Sequence, residues 1–192
     1  YYSAFAYLKY DSFDNKYYPK RGFYFNGDFH IYPFSSVHDF EEFSIAKAKI
    51  GYVFTPIRNL SFRLFSETGF RIGDSDNQIL DFLLGGYGND LINNMVPFYG
   101  YDFVSLGGDS FIKGLVEVDA EIVKNNHVTL SANFANVRDD LYSSGNWFSM
   151  PDYTGYALGY GVETFLGPME VKYSYSPEIE EGQWFFSLGF WF

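Results

Sequence analysis

The chain ends on Trp184-Phe185-Phe186-Ser187-Leu188-Gly189-Phe190-Trp191-Phe192, and few folds accommodate such a segment. As an extended strand it puts Trp184, Phe186, Leu188, Phe190 and Phe192 on one face, with Phe185, Ser187, Gly189 and Trp191 on the other. Free termini usually fray into water, so a soluble domain gains little from ending on its most apolar face. A strand in a closed barrel satisfies its backbone through its neighbours and can turn that face to lipid. The competing reading is a soluble β-sandwich whose last strand is buried.

Composition favours the barrel. Aromatic residues make up 23% of the chain, with 18 Tyr and 23 Phe, far more than one soluble core needs. Transmembrane barrels use such rings as girdles at the two lipid–water interfaces. Mean hydropathy is −0.15, and no apolar run approaches the roughly 18 residues of a spanning helix. A chain with this hydropathy enters a membrane only by alternating. The absence of cysteine excludes disulfides and any cysteine-based redox or zinc site. A formal charge of −11 argues against nucleic acid as a partner, which would require a basic stripe.

The alternation is there, at period two, over about nine segments. In the first, Ala4, Ala6, Leu8 and Tyr10 oppose Phe5, Tyr7 and Lys9; in the second, Phe23, Phe25, Phe29 and Ile31 oppose Tyr24, Asn26, Asp28 and His30. Ala46, Ala48, Ile50, Tyr52 and Phe54 then oppose Lys47, Lys49 and Gly51. Leu60, Phe62 and Leu64 face away from Ser61, Arg63, Phe65 and Glu67. The pattern is cleaner in the second half. There Val116, Val118 and Ala120 alternate with Glu117, Asp119 and Glu121, and Val128, Leu130 and Ala132 with Thr129, Ser131 and Asn133. Tyr156, Leu158, Tyr160, Val162 and Leu166 oppose Ala157, Gly159, Gly161 and Glu163, and Met169, Val171 and Tyr173 oppose Glu170, Lys172 and Ser174. A sandwich also alternates. The polar face here mixes lysine, arginine and acids, as the wall of a wet lumen would. Lys113, Glu117, Asp119, Glu121, Glu163, Glu170 and Lys172 are therefore expected to face water, so that Glu117→Arg should cost much less than an arginine on the lipid face.

Connections alternate in length as well. Tight turns are predicted at Asp14–Lys20, Pro56–Asn59, 124–126 and 167–168, with longer loops at Pro33–Asp39, Gly73–Asp109, Asp139–Thr154 and 177–182. Short turns at one end and long loops at the other match periplasmic turns and extracellular loops. Aromatic residues near strand ends, such as Tyr156, Phe165 and Trp184, are expected in the girdles. The expected fold is all-β: a transmembrane antiparallel β-barrel over 1–192 with one long, lumen-folding loop at about 73–109. Nine is not the even number usual for a single-chain bacterial barrel. The chain is therefore expected to be the C-terminal part of a larger barrel, or else a complete small barrel of eight or ten strands.

Three stretches carry a family resemblance. Tyr18-Pro19-Lys20-Arg21-Gly22 resembles the aromatic-Pro-Thr-Arg-Gly turn of the bacterial surface-antigen superfamily of outer-membrane assembly and translocation barrels. Tyr156-Ala157-Leu158-Gly159-Tyr160-Gly161-Val162-Glu163, running into Phe165-Leu166-Gly167-Pro168-Met169-Glu170, resembles that family's next-to-last hairpin. The terminal aromatic strand fits its barrel-closing strand, here Trp184, Phe186, Leu188, Phe190 and Phe192. The resemblance implies the last nine strands of a sixteen-stranded barrel. It also implies an inward-folding loop tipped by an Arg-Gly-aromatic motif, whose counterparts are Pro97, Phe98, Tyr99, Gly100 and Tyr101, with Tyr99 in place of the arginine. With tyrosine at 99, the family's lumenal arginine contact has no counterpart at this position; the alternative is an aromatic loop packed in the barrel mouth. The closest likeness within the superfamily is to the C-terminal barrel of patatin-like phospholipase proteins of Bacteroidetes-type bacteria, in which a soluble lipase domain precedes the barrel.

No catalytic, cofactor or metal site is expected. A patatin-type hydrolase needs a Gly-X-Ser-X-Gly elbow and an Asp-Gly dipeptide, and neither occurs. Gly108-Asp109-Ser110 lacks the motifs that would make it an esterase block, and His38-Asp39 are neighbours whose side chains point apart. Asp74-Ser75-Asp76-Asn77 resembles a calcium loop but has Ile79 at the sixth position and Gly85 at the twelfth, where a glycine and a bidentate Glu belong. The expected role is a membrane anchor or translocation pore for an upstream soluble domain; the alternatives are a protein-assembly barrel and a structural barrel. The expected location is the outer membrane of a diderm bacterium. Its expected partners are outer-membrane lipid and lipopolysaccharide, the barrel-assembly machinery during insertion, and other outer-membrane or periplasmic proteins.

Overall fold

The computed structural model describes residues 2–36, 41–73, 81–87, 94–139, 141–146 and 148–189. Four strands come first: β1 (Tyr2–Asp11), β2 (Gly22–Phe34), β3 (Phe43–Ile57) and β4 (Leu60–Ile72). Three short ones follow inside the long loop, β5 (Phe82–Leu84), β6 (Met95–Val96) and β7 (Leu106–Gly108). The chain then returns to long strands, β8 (Ser110–Val123) and β9 (Asn126–Arg138), separated from the last three by the one-turn helix α1 (Leu141–Ser144). β10 (Tyr153–Thr164), β11 (Gly167–Ser176) and β12 (Glu181–Leu188) complete it. The nine long strands form one antiparallel sheet in the order β1-β2-β3-β4-β8-β9-β10-β11-β12, and the three short ones form a separate small sheet. Among the described residues β1 and β12 each keep one unpaired edge. Most of the nine have the 10 or so residues a tilted strand needs to cross hydrocarbon.

Register explains why the two faces separate. Directly opposed residues share a face, so one row runs Val118, Leu130, Leu158, Tyr173, Trp184 across five strands. Its members are apolar, and Leu130, Leu158 and Trp184 are more than half exposed. The row beside it runs Glu117, Ser131, Ala157, Ser174, Gln183 and turns inward. The predicted faces hold along the nine long strands. Trp184, Phe186 and Leu188 stand exposed on the outer face, whereas Phe190 and Phe192 lie outside the described residues. Aromatic pairs collect toward the strand ends: Tyr10–Phe23 and Phe54–Phe62 at the short-turn end, Tyr2–Phe34 at the other.

Several connections differ from the sequence reading. The β10–β11 hairpin turns on Phe165-Leu166, with Gly167 and Pro168 already in β11, because the Thr164 hydroxyl accepts from Leu166 N–H at 3.2 Å and donates to Gly167 C=O at 2.6 Å. Leu166 is therefore in the turn, not on the lipid face. The β11–β12 connection is only Pro177–Glu180, shorter than predicted. At the first turn the opposite holds. Ser12–Arg21 is a ten-residue excursion rather than a tight turn, since Tyr18 and its neighbours find partners far across the sheet. His38, Asp39 and the Asp74–Asn77 stretch lie outside the described residues.

The apolar core lies inside the sheet's concave face, not between two sheets. Phe82, Leu84, Val96, Phe98 and Tyr101 from the long loop pack on Phe111, Ala135 and Val137 of β8 and β9. Each large side chain so buried contributes about 1.5–3 kcal/mol, which is what holds a polar-walled interior shut around a loop.

Candidate functional site

The inner face of β10 is a column of small residues, Gly155, Ala157, Gly159 and Gly161. Two of them are contact notches. A Cβ at Gly155 would collide with the carbonyl oxygen of Tyr99, and one at Gly161 would collide with the Tyr18 hydroxyl. The upper notch receives the tip of the long loop, and the lower one receives the β1–β2 excursion. Both segments reach this wall from connections at opposite ends of the sheet.

At the upper notch, Asn133 of β9 is fully buried and bonds the loop tip on both sides. Its Oδ1 accepts from Tyr99 N–H at 2.7 Å, and its Nδ2 donates to Gly155 C=O at 3.2 Å and Tyr99 C=O at 3.4 Å. Gly100 N–H donates to Ser174 Oγ at 3.1 Å. Gly100 has φ +85°, and a Cβ there would sit 2.8 Å from the Tyr175 backbone, so both conformation and space require glycine. Phe98 and Tyr101 are buried on either side, the Lys113 ammonium donates to Pro97 C=O, and the Tyr101 hydroxyl donates to Glu178 at 3.3 Å. The five residues singled out in the sequence thus form one docked tip against β8 to β11. The cation beside the tip comes from the wall. Lys172 of β11 reaches the Tyr99 hydroxyl at 3.2 Å and lies 5.0 and 4.9 Å from the ring centres of Tyr87 and Tyr99. Burial, against the opposing pull of Lys172, pushes the Tyr99 phenol up, and burial does the same at Tyr87, whose hydroxyl donates to Glu170.

At the lower notch, Tyr18 is buried and stacks on the His127 imidazole with ring centres 3.9 Å apart. The Arg63 guanidinium lies 5.4 Å from the same ring. Asn15 Nδ2 donates to Glu163 at 2.9 Å, and Lys20 pairs with Glu121 at 2.6 Å. Burial pushes the Tyr18 phenol up, and the hydrogen bond to Glu121 pushes the Lys20 ammonium up. Ser12–Arg21 is therefore a strap crossing the floor of the lumen from β1 and β2 to β8, β9 and β10.

Between loop and strap lies a charge network on neighbouring strands. Arg63 bonds Glu117 and Asp119, each at 2.6 Å; Lys172 reaches Glu117 at 3.3 Å and Glu170 at 3.2 Å; Asp119 meets His127 Nδ1 at 3.0 Å. Glu117 also accepts from Ser131 at 2.5 Å. This corrects the expectation of a wet wall. The faces are as predicted, but Lys113, Glu117, Asp119 and Lys172 are buried, because the loop and the strap cover them and pairing replaces hydration. Glu163 and Glu121 keep more solvent at the rim. The sequence reading placed Asn133 on the inner face and Tyr18 in a turn motif, but missed that both dock segments across the lumen and that 12–21 forms a strap. The signal was the small-residue column of β10: inward glycines opposite large polar side chains leave space that something must fill. Among the described residues no cluster of His, Asp and Glu is placed to hold a metal, and Ser110 is wholly buried with its hydroxyl on Asp109.

Spanning-length antiparallel strands, apolar outside, charged inside and filled by their own loop, make an outer-membrane β-barrel wall. The chain belongs to the OMP85 superfamily, which it matches over residues 1–192. Among solved structures it is similar to BamA from Haemophilus ducreyi, in a crystal structure lacking POTRA domains 1–3, with a TM-score of 0.68 at 10% identity. The likeness covers 91% of this chain and 38% of that one, so this chain spans well under half of it. No curated protein matches the sequence.

Proposed function

We propose that this chain is the C-terminal part of a sixteen-stranded barrel in a patatin-like surface-antigen protein. It anchors an upstream soluble domain in the outer membrane of a diderm bacterium, or passes that domain across. The observation that carries this reading is the nine-stranded sheet, open among the described residues, whose two free edges in hydrocarbon would leave backbone groups unsatisfied. Further strands of the same polypeptide would close it, with β12 pairing to the first of them. The Tyr18–Gly22 and Tyr156–Glu170 motifs support the surface-antigen superfamily, within which the patatin-like barrel is the likeness proposed. Lipid and lipopolysaccharide would meet the outer face, and the barrel-assembly machinery would insert it.

A second reading is a protein-assembly or translocation barrel, favoured by the likeness of fold to BamA. The full-length polypeptide separates the two. Purified from outer membranes and assayed on phospholipid micelles, it should release fatty acid, and mutating the elbow serine upstream should abolish this. A full-length protein carrying tandem periplasmic repeats and no lipase activity would overturn the first reading in favour of the second.

A further inference from the structure

At the long-loop end of β9, period-two alternation puts Asn136 and Arg138 on the outer face, in line with Leu130, Ala132 and Phe134. An amide and a guanidinium on a lipid-facing wall cost free energy unless they are paired. Both are paired. Arg138 meets the Asp152 carboxylate at 2.8 and 2.5 Å. Asn136 Oδ1 accepts from Asp152 N–H at 2.8 Å, and its Nδ2 donates to the Ser149 hydroxyl at 3.1 Å and to Ser149 C=O at 3.4 Å. Asn136 is buried as a result, although it stands on the outside of the wall. The β9–β10 connection thus folds back over the outer face as a flap.

The flap exchanges polar surface for apolar. Ser149 turns onto Asn136, and the residues on either side of it turn away: Phe148 is 93% and Met150 86% exposed. From Leu141 to Pro151 the sequence carries no charged residue. The other connections at this end are acidic, with Glu41 and Glu42 in one, Asp81, Asp102 and Asp109 in the next, and Glu178 and Glu180 in the last. An exposed apolar pair marks contact with either a membrane or a protein. Here the flap is anchored on a strand whose next outward residues, Phe134, Ala132 and Leu130, face lipid, so the pair continues that surface. Its freedom from charge beside acidic neighbours also suits a segment lying at the headgroup and acyl boundary.

We propose that the β9–β10 flap docks in the membrane, with Phe148 and Met150 seated among acyl chains of the leaflet at the long-loop end. The proposal rests on the membrane-barrel reading of the wall below it. The test is accessibility of single spin labels in the full-length protein, held in nanodiscs of phosphatidylethanolamine and phosphatidylglycerol. Labels at 148 and 150 are challenged with oxygen and with a water-soluble nickel chelate, beside Leu130 as the lipid reference and Lys124, at the exposed β8–β9 turn, as the water reference. Oxygen access should exceed nickel access at 148 and 150, as at 130, and the order should reverse at 124. Asn136→Ala removes the partner of Ser149 and should raise nickel access at 150 about three- to tenfold, the worth of one hydrogen bond; no rise overturns the anchoring. Nickel access at 148 and 150 equal to that at 124 puts the flap in water and overturns the proposal. A weak response to both reagents overturns it in favour of a covering protein. Loss of the oxygen response at 130 as well would bring down the membrane-barrel reading itself, so the two failures are told apart.

Discussion

Replacing Asn133 with leucine should release the tip of the lumen loop. Asn133 is wholly buried and makes three hydrogen bonds, two of them to Tyr99. The substitution keeps the branched side-chain shape but leaves the Tyr99 N–H buried without an acceptor, which costs about 1–3 kcal/mol. The two bonds donated by Nδ2 add about 1 kcal/mol together once water competes for the freed carbonyls. A total of about 2–4 kcal/mol corresponds to roughly 30- to 1000-fold more frequent opening of the tip. Hydrogen exchange of the full-length protein reads this at Gly100, whose acceptor, Ser174 Oγ, is untouched by the substitution. Thr129→Val is the control. Thr129 sits on the same inner face of β9, equally buried, and its hydroxyl has no hydrogen-bond partner among the described residues, so exchange at Gly100 should not change. Unchanged exchange at Gly100 in Asn133→Leu would refute the idea that this asparagine clamps the tip as a unit.

Two further outcomes follow from the lumen and the strap. Leu158→Arg, in the middle of the lipid-facing row, should cost about 2–4 kcal/mol in denaturant unfolding of the full-length protein. Glu117→Gln, inside, should cost as much, about 3–5 kcal/mol, because it strips a buried partner from Arg63 and Lys172; a cost under about 1 kcal/mol would restore the wet-wall picture. Alkali should unlatch loop and strap. The phenols of Tyr18, Tyr87 and Tyr99 lie above their usual 10.0 when docked, so above that pH the undocked form loses protons first and docking weakens. Lys20, raised by Glu121, acts in the same direction: its contribution is complete below its ordinary value and is lost as pH climbs through the raised one. Tyrosine fluorescence or exchange at Gly100 between pH 9 and 12 should show opening that increases with pH; opening on acidification over the same groups would contradict this.

Strand number, strand faces and the position of the long loop were legible in the sequence because each is a period-two property. Once Leu158 faces lipid, register forces Ala157 and Gly159 inward whatever else happens. Three things were not legible. Charge on the inner face says nothing about water, since pairing such as Arg63 with Glu117 replaces hydration only when a loop lies over it. Hairpin length reads poorly where a tyrosine finds a distant stacking partner, as Tyr18 does on His127 more than a hundred residues on. The Phe165-Leu166 turn was misplaced by two residues because Gly-Pro is a turn signal that here opens a strand.

Lipid and water accessibility along β9 tests the account most directly. Single spin labels at 128 through 134 of the full-length protein in liposomes can be challenged with oxygen, which partitions into lipid, and with a water-soluble nickel chelate. Val128, Leu130, Ala132 and Phe134 should respond to oxygen, with Leu130 the deepest. Thr129, Ser131 and Asn133 should respond weakly to both reagents, since the loop and strap cover them. Nickel access as high at 129, 131 and 133 as at an exposed turn would contradict the packed lumen, and a profile without period-two alternation would contradict the membrane barrel itself.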